Sequence, residues 1–191
     1  MNGGSGEPRS HSDTSVRPAV PGDERAIAAL QWRAWRALFG GEELAAQGLS
    51  EERLRAGWES ALSSPRPASA ALVVALHSNS VVGFALAGPD DEAGAAGGPT
   101  GAVRGQSGGA PAAAATQIYE LVVDPSFSRS GHGSRMLAAV ADLVGGALRV
   151  WIDARDEARQ RFFSSAGFAP AGAGRAIGDG HTQHLWWARA E

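Results

Sequence analysis

The segment Ser128-Arg129-Ser130-Gly131-His132-Gly133-Ser134 has the residue types and spacing of an anion site. It follows an apolar run closed by Asp124-Pro125 and precedes residues at helical spacing, so backbone N–H groups and a helix N-terminus converge on it. Gly131 and Gly133 lack a Cβ, which permits positive φ and a close approach of the chain to a pyrophosphate. Arg129 adds a permanent charge, and Ser130 and Ser134 add hydroxyl donors. His132 is expected to pack beside the glycines, with a phosphate contact as its second use.

Composition narrows the remaining chemistry. The 191 residues contain no cysteine, which excludes disulfides, thiolate metal ligands and thiol nucleophiles. All 17 basic residues are arginine, so neither Schiff-base catalysis nor a lysine phosphate cradle operates here. His77, His181 and His184 have no metal-ligand spacing, and no metal is expected. A formal net charge of -3 and the lack of a basic run argue against nucleic acid as a partner.

The elements that must position the loop follow from periodicity. Residues 1–14 are polar, without a leader or an apolar anchor, and read as a disordered tail of a cytoplasmic protein with no membrane partner. From Ser15 to Glu191 one domain is expected, opening with a strand at Val16–Val20. A helix follows on Ile27, Leu30, Ala34 and Leu38, with Asp23 as its cap or first-turn acid, and Gly40-Gly41 stops it. A second helix is capped by Ser50 and carries Leu54, Trp58 and Leu62. Ala71–Leu76 and Val81–Leu86 read as a hairpin, and residues 89–116 as a flexible Gly/Ala-rich insertion. Ile118–Val123 is a central strand, Ser126–Gly133 a loop, and the helix begins at Ser134. A strand at Leu148–Ile152, a helix at Asp156–Ala166 and a terminal strand at His184–Ala188 complete a mixed α/β order. The aromatic residues Trp32, Trp35, Phe39 and Trp58 on the first two helices are either core or the wall of a pocket.

The stretch Leu121 to Leu137, with its strand end, Asp-Pro and glycine loop, resembles the acetyl-CoA motif of the GNAT acetyltransferase superfamily. A second block, Phe162-Phe163-Ser164-Ser165-Ala166-Gly167-Phe168, is similar to that family's Phe-Tyr-x-x-x-Gly-Phe helix and following strand. The resemblance implies an α/β (α+β) fold: a mostly antiparallel sheet of about six to seven strands, about four helices, and a splay at the cofactor strand. It implies acetyl-CoA as co-substrate, with backbone groups of Leu121, Val122 and Val123 pairing with its pantetheine arm. Residues Ser128 to Ser134 would hold the pyrophosphate, and Asp156 and Phe163 would flank the arm.

Two departures bear on catalysis. Ser128 stands where Gln or Arg is usual and Arg129 where Gly is frequent, so the guanidinium is expected to reach the phosphates from the neighbouring position. Phe163 replaces the tyrosine that protonates the leaving thiolate, and a thiol pKa near ~8.5 makes an acid dispensable. Acetyl transfer to an amine needs a base, and Glu120, just ahead of Leu121, is the candidate. The expected activity is transfer of acetyl from acetyl-CoA to a primary amine of a small molecule, a protein N-terminus or a lysine. The alternative is an acyl-CoA-binding protein without turnover. A dinucleotide oxidoreductase is disfavoured because the loop lacks a third glycine, and a homodimer is left open.

Overall fold

Apolar runs such as Leu72–Ala75, buried on both faces, build the centre of a seven-stranded sheet, and amphipathic helices cover it on either side. The computed structural model describes residues 14–89, 115–177 and 181–189. In chain order the elements are β1 (Thr14–Pro18), α1 (Glu24–Phe39), α2 (Gly41–Ala46), α3 (Glu51–Ser63), β2 (Ala71–His77) and β3 (Ser80–Pro89). There follow β4 (Thr116–Val123), a 3-10 turn at Pro125–Phe127, α4 (His132–Val144), β5 (Ala147–Asp153), α5 (Glu157–Ser165), β6 (Ala169–Ile177) and β7 (His181–Arg189). The strand order is β1-β2-β3-β4-β5-β7-β6. Every neighbouring pair is antiparallel except β4 and β5.

Several boundaries differ from the expectation. The first strand begins and ends earlier, which leaves Val20 exposed after the buried Ala19. Most of the expected tail and insertion, residues 1–13 and 90–114, lies outside the described residues. Gly40-Gly41 ends α1 but also starts the short α2, whose Leu44 is buried. Ser50 caps α3 as expected, its side chain accepting the Arg53 N–H at 3.2 Å. Asp23 occupies the cap position of α1 without capping it. Its carboxylate instead accepts both arms of Arg17, at 2.7 and 2.9 Å, and the Val20 amide at 2.9 Å. Burial works against that carboxylate, but these donors outweigh it and hold its pKa below the ordinary value.

Two cores lie on opposite faces of the sheet. One, with Val73, Ala85, Ile118, Met136, Val140, Val150 and Phe163, sits beneath α4 and α5. The other, with Ile27, Trp58, Leu72, Val74 and Phe84, sits beneath α1 and α3. A register shift puts Leu86 opposite Glu120 but Ala87 opposite Ile118, so Tyr119 is an extra residue in β4. The bulge reverses the alternation, because side chains in a strand change face at every residue. Ile118 therefore points to the α4 face, and so does Leu121, while Val122 points to the α1 face. Glu120 is turned toward α1 with it.

Candidate active site

The parallel pairing of β4 with β5 covers only Thr116–Ile118 against Leu148–Val150. Beyond it β4 runs on to Val123 beside β3, and β5 runs on to Asp153 beside β7, so the two strands part. Antiparallel pairing directs the main chain of alternate residues to one neighbour. The Asp124 N–H donates to Val82 O at 2.8 Å, so the polar groups of Val122 also face β3 and those of Leu121 and Val123 face the gap. The expectation that Val122 offers its backbone to a ligand is therefore corrected. Leu121 and Val123 present an edge that no neighbouring strand pairs, the template for adding another extended chain.

The glycine loop closes one end of this gap. Leu121, Val123, Phe127, Ser128, Arg129, Gly131, His132, Gly133, Ser134, Arg159, Phe162 and Phe163 line a cleft of about 540 Å³. Helix α4 begins at His132, two residues earlier than expected, with Gly131 as its cap at φ +79°. No side chain caps its first turn, unlike α3 and α5, so the amides of that turn remain available to an anion. Arg129 takes the left-handed conformation itself, at φ +62°, where a glycine would be unstrained.

Other residues of the loop serve differently from the expectation. Gly133 has no positive φ; a Cβ there would lie 3.2 Å from the Phe162 ring, so its bare Cα lets α5 approach α4. The Ser128 hydroxyl donates to Pro125 O at 2.8 Å and that of Ser130 to Phe127 O, which holds the turn in shape. His132 is only 1% exposed, packed near His77 and Phe127 with ring centroids 6.0 and 6.2 Å away. Burial, then the charges of His77 and Arg135, lower its pKa and keep it neutral. Its ring, wholly buried, is not placed to meet a phosphate. Asp156 does not line the cleft: its carboxylate caps α5 by accepting the Arg159 N–H at 2.9 Å.

On the α1 side, Glu120 Oε1 accepts from Trp35 Nε1 at 3.0 Å and Gln31 Nε2 at 3.3 Å. Gln31 is fixed in turn, because Trp58 Nε1 donates to its Oε1 at 2.8 Å. Both donors fall on one oxygen of Glu120, leaving Oε2 for a further proton. Burial raises the Glu120 pKa, opposed by the bonds from Gln31 and Trp35 and by the Arg159 charge acting through the gap. A half-buried carboxylate with a raised pKa holds a proton more readily than an exposed one.

Sequence reading did not find Gln31 or Arg159 as site residues. Gln31 lies on the apolar stripe of α1, four residues from both Ile27 and Trp35, and a polar residue there was the available signal. Among the described residues no three His, Asp or Glu side chains gather as metal ligands, and no helix is long and apolar enough to cross a membrane.

Comparison with known proteins resolves the family. The model of the acetyltransferase (GNAT) family matches residues 25–168. The chain belongs to the GNAT family. The splayed sheet is the expected GNAT architecture, with five helices among the described residues. Solved structures share this fold. A ribosomal-protein-alanine N-acetyltransferase from Brucella melitensis aligns at TM-score 0.65 and 19% identity, over 92% of this chain and 99% of that one. An acetyltransferase from Salmonella typhimurium, solved with its cofactor acetyl-CoA, aligns at TM-score 0.63 and 13% identity, over 93% and 94% of the two chains. Mycothiol acetyltransferase of Streptosporangium roseum is 39% identical over 70 residues, 37% of this chain and only 18% of that relative.

Proposed function

We propose that this GNAT protein transfers an acetyl group from acetyl-CoA to a primary amine by direct attack, with Glu120 as the general base. The observation that carries the reading is the cleft that joins the uncapped α4 N-terminus to the β4 edge where β4 and β5 part, with Glu120 on the opposite face of that same stretch of β4. In this reading the loop from Ser128 to Ser134 wraps the pyrophosphate, Arg129 supplies the charge, and Leu121 and Val123 pair with the pantetheine arm. When bound, acetyl-CoA supplies an activated thioester, and the Val123 N–H, facing the gap, polarises its carbonyl. Glu120 takes the amine proton through Oε2, directly or through one water, while Trp35 and Gln31 hold the carboxylate still.

The acceptor enters from the α1 side, where Glu120 faces. Its class, whether small molecule, protein N-terminus or lysine, is the finer question. Glu120→Gln tests the assignment by CoA release with a panel of amines. The expected result is turnover about 10²–10⁴-fold lower with acetyl-CoA binding intact. Undiminished turnover would remove Glu120 from the mechanism. The fully buried Phe163, which has no proton to give, motivates the second reading of a binder without turnover. Acetyl-CoA binding without thiol release on any amine would favour that reading.

A further inference from the structure

Arg159 stands on α5 one turn ahead of Phe163, and its guanidinium lies 5.4 Å from the centre of that ring. Among the cleft-lining residues the other cation is Arg129, in the glycine loop at the phosphate end. Arg159 Nη1 reaches across to Leu121 O at 3.3 Å, a long bond to a carbonyl that faces the gap. A pantetheine arm paired with the β4 edge would take over that carbonyl, and the guanidinium would be displaced within the same cleft. The reacting end of such an arm lies where β4 and β5 part, beside Glu120. At that place a tyrosine would ordinarily deliver a proton to the leaving sulfur, and this chain has a phenylalanine.

We propose that Arg159 is a catalytic residue that stabilises the departing CoA thiolate by its charge, in place of the hydroxyl that Phe163 lacks. The assignment rests on the acetyl-CoA reading above. Attack forms the C–N bond and breaks the C–S bond, whose electron pair leaves on sulfur. The amine proton goes to Glu120 Oε2, and the thiolate takes a proton from solvent after it leaves. The charges facing Arg159 are Glu120 from β4 and Asp156 from the start of its own helix. While Glu120 is ionised, its field cancels part of the guanidinium charge. When Glu120 receives the amine proton that cancellation ends, so the cation is least opposed at the moment sulfur becomes negative. Base and cation are thereby coupled through the gap between β4 and β5. Burial lowers the Arg159 pKa, with Glu120 and then Asp156 acting against it, but an arginine remains charged at neutral pH.

The test reads the thiol directly and needs no acceptor amine. Free CoA is bound to the wild-type protein, to Glu120→Gln, to Arg159→Gln and to Arg159→Lys, with binding followed by calorimetry. The thiol is then titrated by the ultraviolet absorbance of its thiolate. An opposite charge within reach lowers an acid's pKa by about 1–3 units, so in Glu120→Gln, where the opposing carboxylate charge is gone as it is after proton transfer, the bound thiol is expected to titrate at least about 1 unit below CoA free in the same buffer, with a smaller depression in the wild type. Arg159→Gln should abolish the wild-type depression, and Arg159→Lys should keep most of it. An undepressed thiol in Glu120→Gln, or equal depression in the wild type and Arg159→Gln, would overturn the proposal even though CoA binds. Should Arg159→Gln fail to fold or to bind CoA, the Glu120→Gln titration decides alone: depression supports it, and its absence refutes it. No binding of CoA to the wild type would instead bring down the cofactor reading, and the proposal with it.

Discussion

Replacing Trp58 by phenylalanine separates packing from hydrogen bonding in the chain of contacts that ends on Glu120. Trp58 is 8% exposed, sits edge-on to Phe84 with centroids 5.6 Å apart, and gives its indole N–H to Gln31 Oε1 at 2.8 Å. Phenylalanine keeps an aromatic ring against Phe84 but leaves the Gln31 oxygen, on a residue 6% exposed, without its donor. An unsatisfied buried acceptor costs about 1–3 kcal/mol, and the smaller ring adds a cavity cost of about 1 kcal/mol, so a loss of about 2–4 kcal/mol is expected. Urea unfolding measures it, and a double-mutant cycle with Gln31→Met isolates the polar part. Once both residues are changed no oxygen is stranded, so the double variant should cost less than the sum of the singles by about 1 kcal/mol or more. Trp58→Phe also frees the Gln31 amide to turn, which loosens one of the two bonds that hold the Glu120 pKa down. The Glu120 carboxyl, followed by carbon NMR, should then titrate higher than in the wild type. Additivity within about 0.5 kcal/mol, together with an unmoved Glu120 titration, would refute the reasoning and leave Trp58 as packing alone.

Arg129→Gly relieves a left-handed arginine, so the ligand-free protein should gain about 1 kcal/mol in urea unfolding while acetyl-CoA binding weakens through loss of the loop charge; tighter binding would contradict the phosphate role. Asp23→Asn tests the Arg17 pair by pH. The folded pKa of Asp23 is lowered, so its contribution is present above the ordinary carboxylate value and is lost as pH falls through the folded one. Thermal unfolding should therefore separate wild type from variant at pH 7 and bring them together in acid; a constant gap would refute the linkage. Glu120 has the opposite sign. Its folded pKa is raised, so its stabilising contribution is complete below the ordinary carboxylate value and is lost as pH rises through the folded one. Glu120→Gln should match or exceed wild-type stability at neutral pH, and a lower melting temperature there would show that the Arg159 attraction dominates.

Local chemistry was the legible part of this protein. Ser50 caps the helix it precedes because its partner, the Arg53 amide, lies in the same turn. The strand, glycine loop and helix from Ile118 to Leu143 are contiguous, and the order of apolar runs and breakers was enough to place them. What failed depends on partners outside the element itself. Asp23 looks like a cap until Arg17, from the preceding strand, takes its carboxylate. Gly133 looks like a turn residue until Phe162 packs against it from α5. The edge strand β6, Ala169-Pro170-Ala171-Gly172-Ala173-Gly174, has almost no β-forming residues, and pairing with β7 alone orders it. The Tyr119 bulge that aims Glu120, and the gap that lets Arg159 act on it, are properties of the assembled sheet.

Thermal unfolding with and without acetyl-CoA, for the wild type and Gly131→Asp, tests the central claim most directly. Aspartate enters the left-handed region at a cost and its Cβ would lie 3.1 Å from the Arg135 guanidinium, so the fold of the variant is checked by circular dichroism; its carboxylate puts a negative charge at the anion site. At about 100 times the dissociation constant the ligand contributes about 2.7 kcal/mol, which raises the melting temperature of a chain this size by roughly 5–10 °C. The account predicts that rise in the wild type and none in a folded Gly131→Asp. No rise in the wild type at millimolar acetyl-CoA, or an equal rise in both proteins, would contradict it.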